Sequence, residues 1–334
     1  MMTGSTLLTK SSKGHAHQKI AWLNKCDQYG RKFQETRESS VIDRGLYAYV
    51  STPYTSSGEI NWNVLSTYVE QVVNAEVNGI TCLASTCEGP YLLPDEREQV
   101  LREISRVVDK RVNLNVGVAG VSTKETLKNA EMAVANGATS LMVEMRQYFS
   151  VGFDDVYRHY SAISEIGVPI RLYNLPAATG LDLSPRRICE LSAIEMITSV
   201  KEASGETERI GQIVDLCGSE LAVFCGFHYQ ALEGVQQGAS GLEMMMHPVI
   251  APELVRLYKE LDRDPFSEES LKLFDGFREI FALFRFFGVP QVIKAIAERT
   301  DLPFGEPRAP MGRLNDKEKK LVFNAFQRWK DLET

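Results

Sequence analysis

Two stretches decide how this chain is read: Pro169-Ile-Arg-Leu-Tyr-Asn-Leu-Pro176 and Met196-Ile-Thr-Ser-Val-Lys-Glu-Ala-Ser-Gly205. Each is a short β-rich run that stops at a reactive side chain and passes into small or polar residues. The first run stops at Tyr173 and the second at Lys201. Between them lies one amphipathic stretch, Ser184–Leu191, so the two runs read as neighbouring strands joined by a helix.

The same alternation continues in both directions. Strand-like runs occur at Leu46–Ser51, Ile80–Ala84, Val112–Val118, Ser140–Met145, Pro169–Tyr173, Met196–Lys201, Leu221–Cys225 and Gly241–Met245. Helical stretches separate them at Asn63–Asn78, Asp95–Asp109, Lys124–Asn136, Asp154–Ile166 and Glu206–Cys217. Apolar residues in these recur at three- and four-residue spacing, as in Val64, Tyr68, Val72 and Ala75. Eight β-runs interleaved with helices predict an α/β fold of the (β/α)8 TIM-barrel type, although a doubly wound sheet alternates similarly with fewer strands. After Asp262 the pattern is helical only, at Glu268–Phe287, Gln291–Arg299 and Asp316–Asp331, which predicts a C-terminal helical extension. The expected organisation is a basic N-terminal extension over 1–44, a barrel over 45–262 and a helical region over 263–334. The first 44 residues hold eight Lys or Arg against four Asp or Glu, unlike the acidic remainder.

Composition narrows the function classes. Of 334 residues 44% are hydrophobic and 24% charged, enough for a large core and against disorder over most of the chain. A net charge of −7 argues against nucleic acid as a partner. No apolar run approaches the ~20 residues of a membrane span, and no secretory-type apolar segment opens the sequence, so a cytoplasmic location is expected. The six cysteines, Cys26, Cys82, Cys87, Cys189, Cys217 and Cys225, form no C-x-x-C pair and read as reduced thiols. The five histidines show no metal spacing, and neither a P-loop nor G-x-G-x-x-G is present.

In a barrel, chemistry gathers where the strands end. One βα unit separates Tyr173 from Lys201, so both are expected to project into the same barrel mouth. A lysine among apolar walls is disfavoured as a cation, and the neutral amine can attack a ketone to form a Schiff base. A neighbouring phenol can pass protons to and from the substrate. From position alone, a lysine snorkelling to solvent and a tyrosine filling the core fit as well. A third segment, Ala84-Ser85-Thr86-Cys87-Glu88-Gly89-Pro90, is a polar loop whose hydroxyls and backbone N–H groups can hold a carboxylate. Such loops also serve as plain helix caps.

Together the three segments resemble the dihydrodipicolinate synthase and N-acetylneuraminate lyase family of class I, pyruvate-handling aldolases. The family pattern is G-[ST]-T-G-E after the second strand, Y-N-x-P after the fifth and K-[DE]-x-[ST]-G after the sixth. Here the three read Ser85-Thr86-Cys87-Glu88, Tyr173-Asn174-Leu175-Pro176 and Lys201-Glu202-Ala203-Ser204-Gly205, with Tyr173 and Lys201 28 residues apart. The resemblance spans roughly residues 45–330. It implies that Lys201 forms the imine, that Tyr173 shuttles protons, and that Ser85 and Thr86 hold the carboxylate of a 2-oxo acid such as pyruvate. The partner substrate is an aldehyde. No metal or organic cofactor is implied beyond the covalent imine with Lys201, and the oligomer implied is a homotetramer, or at least a dimer.

Departures from the pattern shape the expected substrate. The loop before Glu88 is shorter than the family's, and Cys87 stands at a usual glycine. Lysine-pathway synthases carry an arginine that grips the aldehyde's carboxylate where this chain has Ala178, so that activity is not expected. Pro176-Ala177-Ala178-Thr179-Gly180 looks more like the sialic acid lyase and 4-hydroxy-2-oxoglutarate aldolase branches. Yet Gly226 is followed by Phe227 and His228, without the acids that bind sialic-acid-type sugars. The fourth run ends Met145-Arg146-Gln147-Tyr148-Phe149. There Tyr148 is a candidate for passing protons between subunits, and Arg146 for gripping a carboxylate. Glu243 lies in the eighth run, where relatives have an aliphatic residue beside the imine; it can face the pocket or, with a register shift, point outward. The leading reading is a Schiff-base lyase making or cleaving a carbon–carbon bond of a 2-oxo acid or 2-keto-3-deoxy sugar acid. A non-catalytic binding member of the family and a Schiff-base dehydratase are the alternatives.

Overall fold

Hydrogen bonding between the β-runs closes on itself. In the computed structural model, which describes residues 43–333, eight parallel strands pair in chain order and the last pairs with the first. The strands are β1 Gly45–Tyr49, β2 Gly79–Cys82, β3 Asn113–Gly117, β4 Ser140–Val143, β5 Ile170–Asn174, β6 Ile197–Glu202, β7 Ala222–Cys225 and β8 Gly241–Met245. This is the expected (β/α)8 barrel. The segment 1–42, most of the basic extension read from the sequence, lies outside the described residues.

A helix follows each strand: α1 Trp62–Asn74, α2 Pro94–Val108, α3 Thr123–Ala135, α4 Phe153–Ser164, α5 Pro185–Leu191, α6 Glu208–Cys217, α7 Ala231–Gln236 and α8 Ala251–Arg263. Each buries one stripe. In α1 the stripe is Leu65, Tyr68, Val69, Val72 and Val73, while Val64 and Ala75 from the expected set lie half-buried at its margin. Asn61 caps this helix by accepting a hydrogen bond from the Val64 N–H.

Three further helices form the C-terminal extension: α9 Glu268–Phe287, α10 Val289–Ala297 and α11 Asp316–Glu333. Helix α10 begins two residues earlier than its periodicity suggests because Pro290 sits in its first turn, where a missing N–H costs nothing. An aromatic seam of Phe277, Phe281, Phe326 and Trp329 joins α9 to α11. Phe281 and Phe284 also pack on His228, just past the end of β7, so this extension reaches the strand ends that form the barrel mouth.

The barrel interior departs from the usual filling of branched aliphatic side chains. Arg171 of β5, only 1% exposed, lies with its guanidinium 4.2 Å from the ring centre of Tyr47 on β1 and 3.6 Å from that of Phe224 on β7. Contacts from β5 to β1 and β7 can be made only across the inside of the barrel, so charge occupies its lower layer.

Candidate active site

The two deciding stretches are held together by their own polar residues. Strands β5 and β6 pair Tyr173 with Lys201 and Asn174 with Glu202. Asn174 Nδ2 donates to Glu202 Oε2 at 2.9 Å, and its Oδ1 accepts from the Leu183 N–H at 3.0 Å. Glu202 Oε1 accepts from the Ser204 N–H at 2.6 Å, and burial raises the pKa of the Glu202 carboxyl. Asn174 and Glu202 thus fix both strand ends, leaving Tyr173 and Lys201 to face inward.

Lys201 is 3% exposed at the C-terminal end of β6. Its Nζ donates to the Tyr49 hydroxyl at 2.7 Å and lies 4.0 Å and 4.3 Å from the ring centres of Tyr49 and Tyr173. Glu243 Oε2 is 3.6 Å from the same nitrogen. Glu243 therefore faces inward, with β8 paired to β1 through Glu243 and Tyr47 and no shift of register. Close approach demands glycine opposite: a Cβ at Gly226 would stand 2.9 Å from Lys201 Cε and 2.8 Å from the Glu202 carbonyl oxygen. Burial raises the pKa of the Tyr173 phenol against the opposing pull of Lys201, and burial with the Glu243 carboxylate raises that of Tyr49 well above its ordinary value.

The polar loop after β2 reaches this pair through Ser85, whose Oγ is 3.4 Å from the Tyr173 hydroxyl, with Thr86 next to it and half-buried. Cys87 and Glu88 turn away. The Cys87 thiol is buried and donates to the Thr81 carbonyl, and burial pushes its pKa well up. Glu88 takes a left-handed backbone, φ 65°, and its carboxylate meets Lys294 Nζ at 2.6 Å, the Ser51 hydroxyl at 3.0 Å and the Arg308 N–H at 3.1 Å. His228 accepts from the Met245 N–H at 2.8 Å through Nε2, and burial holds it neutral, with its pKa pushed down to about 3.

Two residues named from the sequence have partners of their own. Arg146 is paired with the buried carboxylate of Glu144 at 2.7 Å. Tyr148 is 87% exposed and packs edge-on against Phe149. Conversely, Tyr49, Arg171 and the Glu88–Lys294 pair were not legible as site residues. For Arg171 the signal existed: it precedes Tyr173 by two positions and so shares its inward face. Among the described residues no group of three or more His, Cys, Asp or Glu is placed to hold a metal ion, and Cys82, Cys87, Cys189, Cys217 and Cys225 are free thiols.

The chain's closed eight-stranded barrel thus holds a buried lysine beside an inward tyrosine at its mouth, and the family it matches has the class I aldolase fold. Residues 43–328 match the model of the dihydrodipicolinate synthetase family, and the chain belongs to that family. Its relatives include the 4-hydroxy-tetrahydrodipicolinate synthase of Prochlorococcus marinus (strain NATL2A), 27% identical over 277 residues, which covers 82% of this chain and 91% of the relative. Among solved structures, the chloride-inhibited dihydrodipicolinate synthase of Acinetobacter baumannii, complexed with pyruvate, superposes with a TM-score of 0.82 at 25% identity. That match covers 87% of this chain and 99% of the other. The 4-hydroxy-tetrahydrodipicolinate synthase of Methylacidiphilum fumariolicum SolV gives a TM-score of 0.80 at 25% identity, covering 86% and 96%. No helix among the described residues is long and apolar enough to cross a membrane.

Proposed function

We propose that this protein is a Schiff-base-forming lyase that makes or cleaves a carbon–carbon bond between pyruvate and an aldehyde, using no cofactor beyond the imine on Lys201. The observation that carries this reading is the buried Lys201 nitrogen flanked by Tyr49 and Tyr173, with Tyr173 reaching Ser85. In the forward direction the amine of Lys201, having given up a proton, adds to the ketone carbon of pyruvate, and the oxygen, protonated through Tyr173, leaves as water. The resulting iminium withdraws electrons, so a methyl proton is lost and an enamine forms. The enamine carbon then attacks the aldehyde, whose oxygen takes up a proton. Hydrolysis frees the product and restores the amine. Ser85 and Thr86 hold the oxo-acid carboxylate and keep the reacting carbon against Nζ.

The substrate we favour is a 2-oxo acid or a 2-keto-3-deoxy sugar acid rather than that of the lysine pathway. Ala178 is exposed on a single helical turn, Pro176–Thr179, and offers no cation for a second carboxylate. Arg146 is engaged by Glu144 and would have to leave it to serve that purpose. We further propose a cytoplasmic homotetramer or dimer in which the exposed Tyr148 supplies a proton path between subunits.

The test is incubation with pyruvate and borohydride, followed by intact mass and peptide mapping. A reduced pyruvyl adduct on Lys201, absent in Lys201→Ala, is expected. Binding of pyruvate without an adduct would make the protein a binding member of the family instead.

A further inference from the structure

Below Lys201 the barrel holds a column of alternating charge. Arg171 donates through Nη2 to Asp43, through Nη1 to Glu243 Oε1 and through Nε to the Ser199 hydroxyl at 3.1 Å. Glu243 is thereby pinned by one oxygen, and its other oxygen, Oε2, is buried without a hydrogen bond of its own, 3.6 Å from Lys201 Nζ. Phenols face it from β1, where Tyr47 is its partner in register and Tyr49 feels its charge, while Tyr173, Cys87, Cys225 and His228 surround the Lys201 nitrogen. Tyr47 donates to Asp43 at 2.8 Å, and Tyr49 donates to Met142 Sδ at 2.9 Å.

The charge count is decisive. Asp43 and Glu243 supply two negative charges and Arg171 supplies one positive charge. The cluster is neutral only while the Lys201 nitrogen is positive. Charge is costly to leave unbalanced at the buried Arg171 and Glu243, so the cluster favours the nitrogen in its positive states, the ammonium and the iminium alike. We propose that Glu243 is a catalytic counter-ion of the Lys201 nitrogen, stabilising its iminium, with Arg171 and Asp43 as positioning residues that hold the free carboxylate oxygen against it. This rests on the reading of Lys201 as the imine-forming residue. It follows the logic of a preorganised charge aimed at the atom where charge develops.

The experiment separates charge from shape. Wild type, Glu243→Gln and Glu243→Asp are incubated with pyruvate and cyanoborohydride, and the adduct on Lys201 is followed by mass spectrometry. Circular dichroism monitors folding. The glutamine keeps the shape and loses the charge, so at a pH high enough that the amine is free in both proteins its trapping rate should fall about tenfold or more. The aspartate keeps the charge on a shorter stem and should recover most of that loss. A triple variant, Asp43→Asn with Arg171→Met and Glu243→Leu, removes every charge beneath the nitrogen; it should trap as poorly as Glu243→Gln, and it decides the matter if the single variant does not fold. Wild-type trapping in a folded glutamine or triple variant overturns the role of Glu243, as does a glutamine that outperforms the aspartate. A wild type that forms no adduct overturns the reading of Lys201 and this inference with it.

Discussion

Lys294 and Glu88, 206 positions apart, meet with Nζ 2.6 Å from the carboxylate, and both side chains are buried. Lys294 also donates to the Thr52 carbonyl at 2.9 Å and lies 4.2 Å from the Tyr54 ring centre. The pair ties α10 of the C-terminal extension to the loop that carries Ser85 and Thr86. Arg308 adds a second tie, donating its backbone N–H to Glu88 and its guanidinium to Glu96 at 2.5 Å and 2.9 Å. The extension therefore acts on the site from behind, by fixing a loop whose Glu88 has a left-handed backbone.

Lys294→Met leaves the Glu88 carboxylate buried without its cation. Removing one partner of such a pair costs about 3 to 5 kcal/mol. The expected outcome is a lower denaturant midpoint together with a raised pyruvate concentration for half-maximal adduct formation. Chemical denaturation and borohydride trapping measure the two effects. Unchanged pyruvate dependence would show that the loop holds its shape without the helix.

Ala178→Arg tests the substrate reading. Position 178 is exposed at the mouth, so the longer side chain meets no core. A charge-assisted hydrogen bond of about 1.5 to 3 kcal/mol should lower the KM for a carboxylate-bearing aldehyde such as glyoxylate by about tenfold or more. Neutral aldehydes should be unaffected. Equal effects on both would remove the absent arginine as an explanation of specificity.

The architecture was legible because a buried parallel strand and its covering helix differ in period, and β8 Gly241–Met245 and α9 Glu268–Phe287 fall where the sequence puts them. Strand β1 ends at Tyr49, ahead of the expected Ser51, because Ser51 and Thr52 turn their hydroxyls to Glu88 and the Cys87 carbonyl. Tyr173 and Lys201 could be found because they end adjacent runs. Tyr49 could not, since an aromatic in an apolar run reads as core and its hydroxyl meets Lys201 only across 152 positions. The direction of Glu243 depended on the β8–β1 register, which exists only once the barrel closes. Long-range pairing is a property of closure and leaves no local periodicity behind.

Cys189 on α5 is the cysteine most open to reagents among the described residues. It is half-buried, donates to the Leu216 carbonyl at 3.4 Å, and its pKa is held below the ordinary thiol value by the neighbouring Cys217 thiol. Cys82, Cys87 and Cys225 are fully covered, with pKa values raised by burial. Iodoacetamide at pH 7 should label Cys189 first, as read by peptide mapping, and Cys189→Ser should abolish the fast phase. Fast labelling at Cys82 or Cys225 instead would mean that the barrel wall opens under native conditions.

Acid sensitivity follows from three histidines kept neutral by burial. The pKa is pushed down to about 4 for His159 and for His247, and to about 3 for His228. In the unfolded chain each titrates near 6.5. Between that pH and the folded values the unfolded state binds protons that the folded state refuses, so stability falls as pH falls. The cost should reach about 1 to 2 kcal/mol per histidine by pH 5. His159 offers the cleanest test, because it lies on α4, where its Nδ1 is 2.9 Å from the Thr123 hydroxyl. Glutamine there removes the titration. Denaturant unfolding of wild type and His159→Gln at pH 7 and pH 5 should give a smaller pH-dependent loss in the variant, by about the share of one histidine. Parallel losses in the two proteins would mean that His159 is protonated in the folded state, and acid sensitivity would then have to come from His228, packed on α9, and His247, packed between Tyr68 and Phe304.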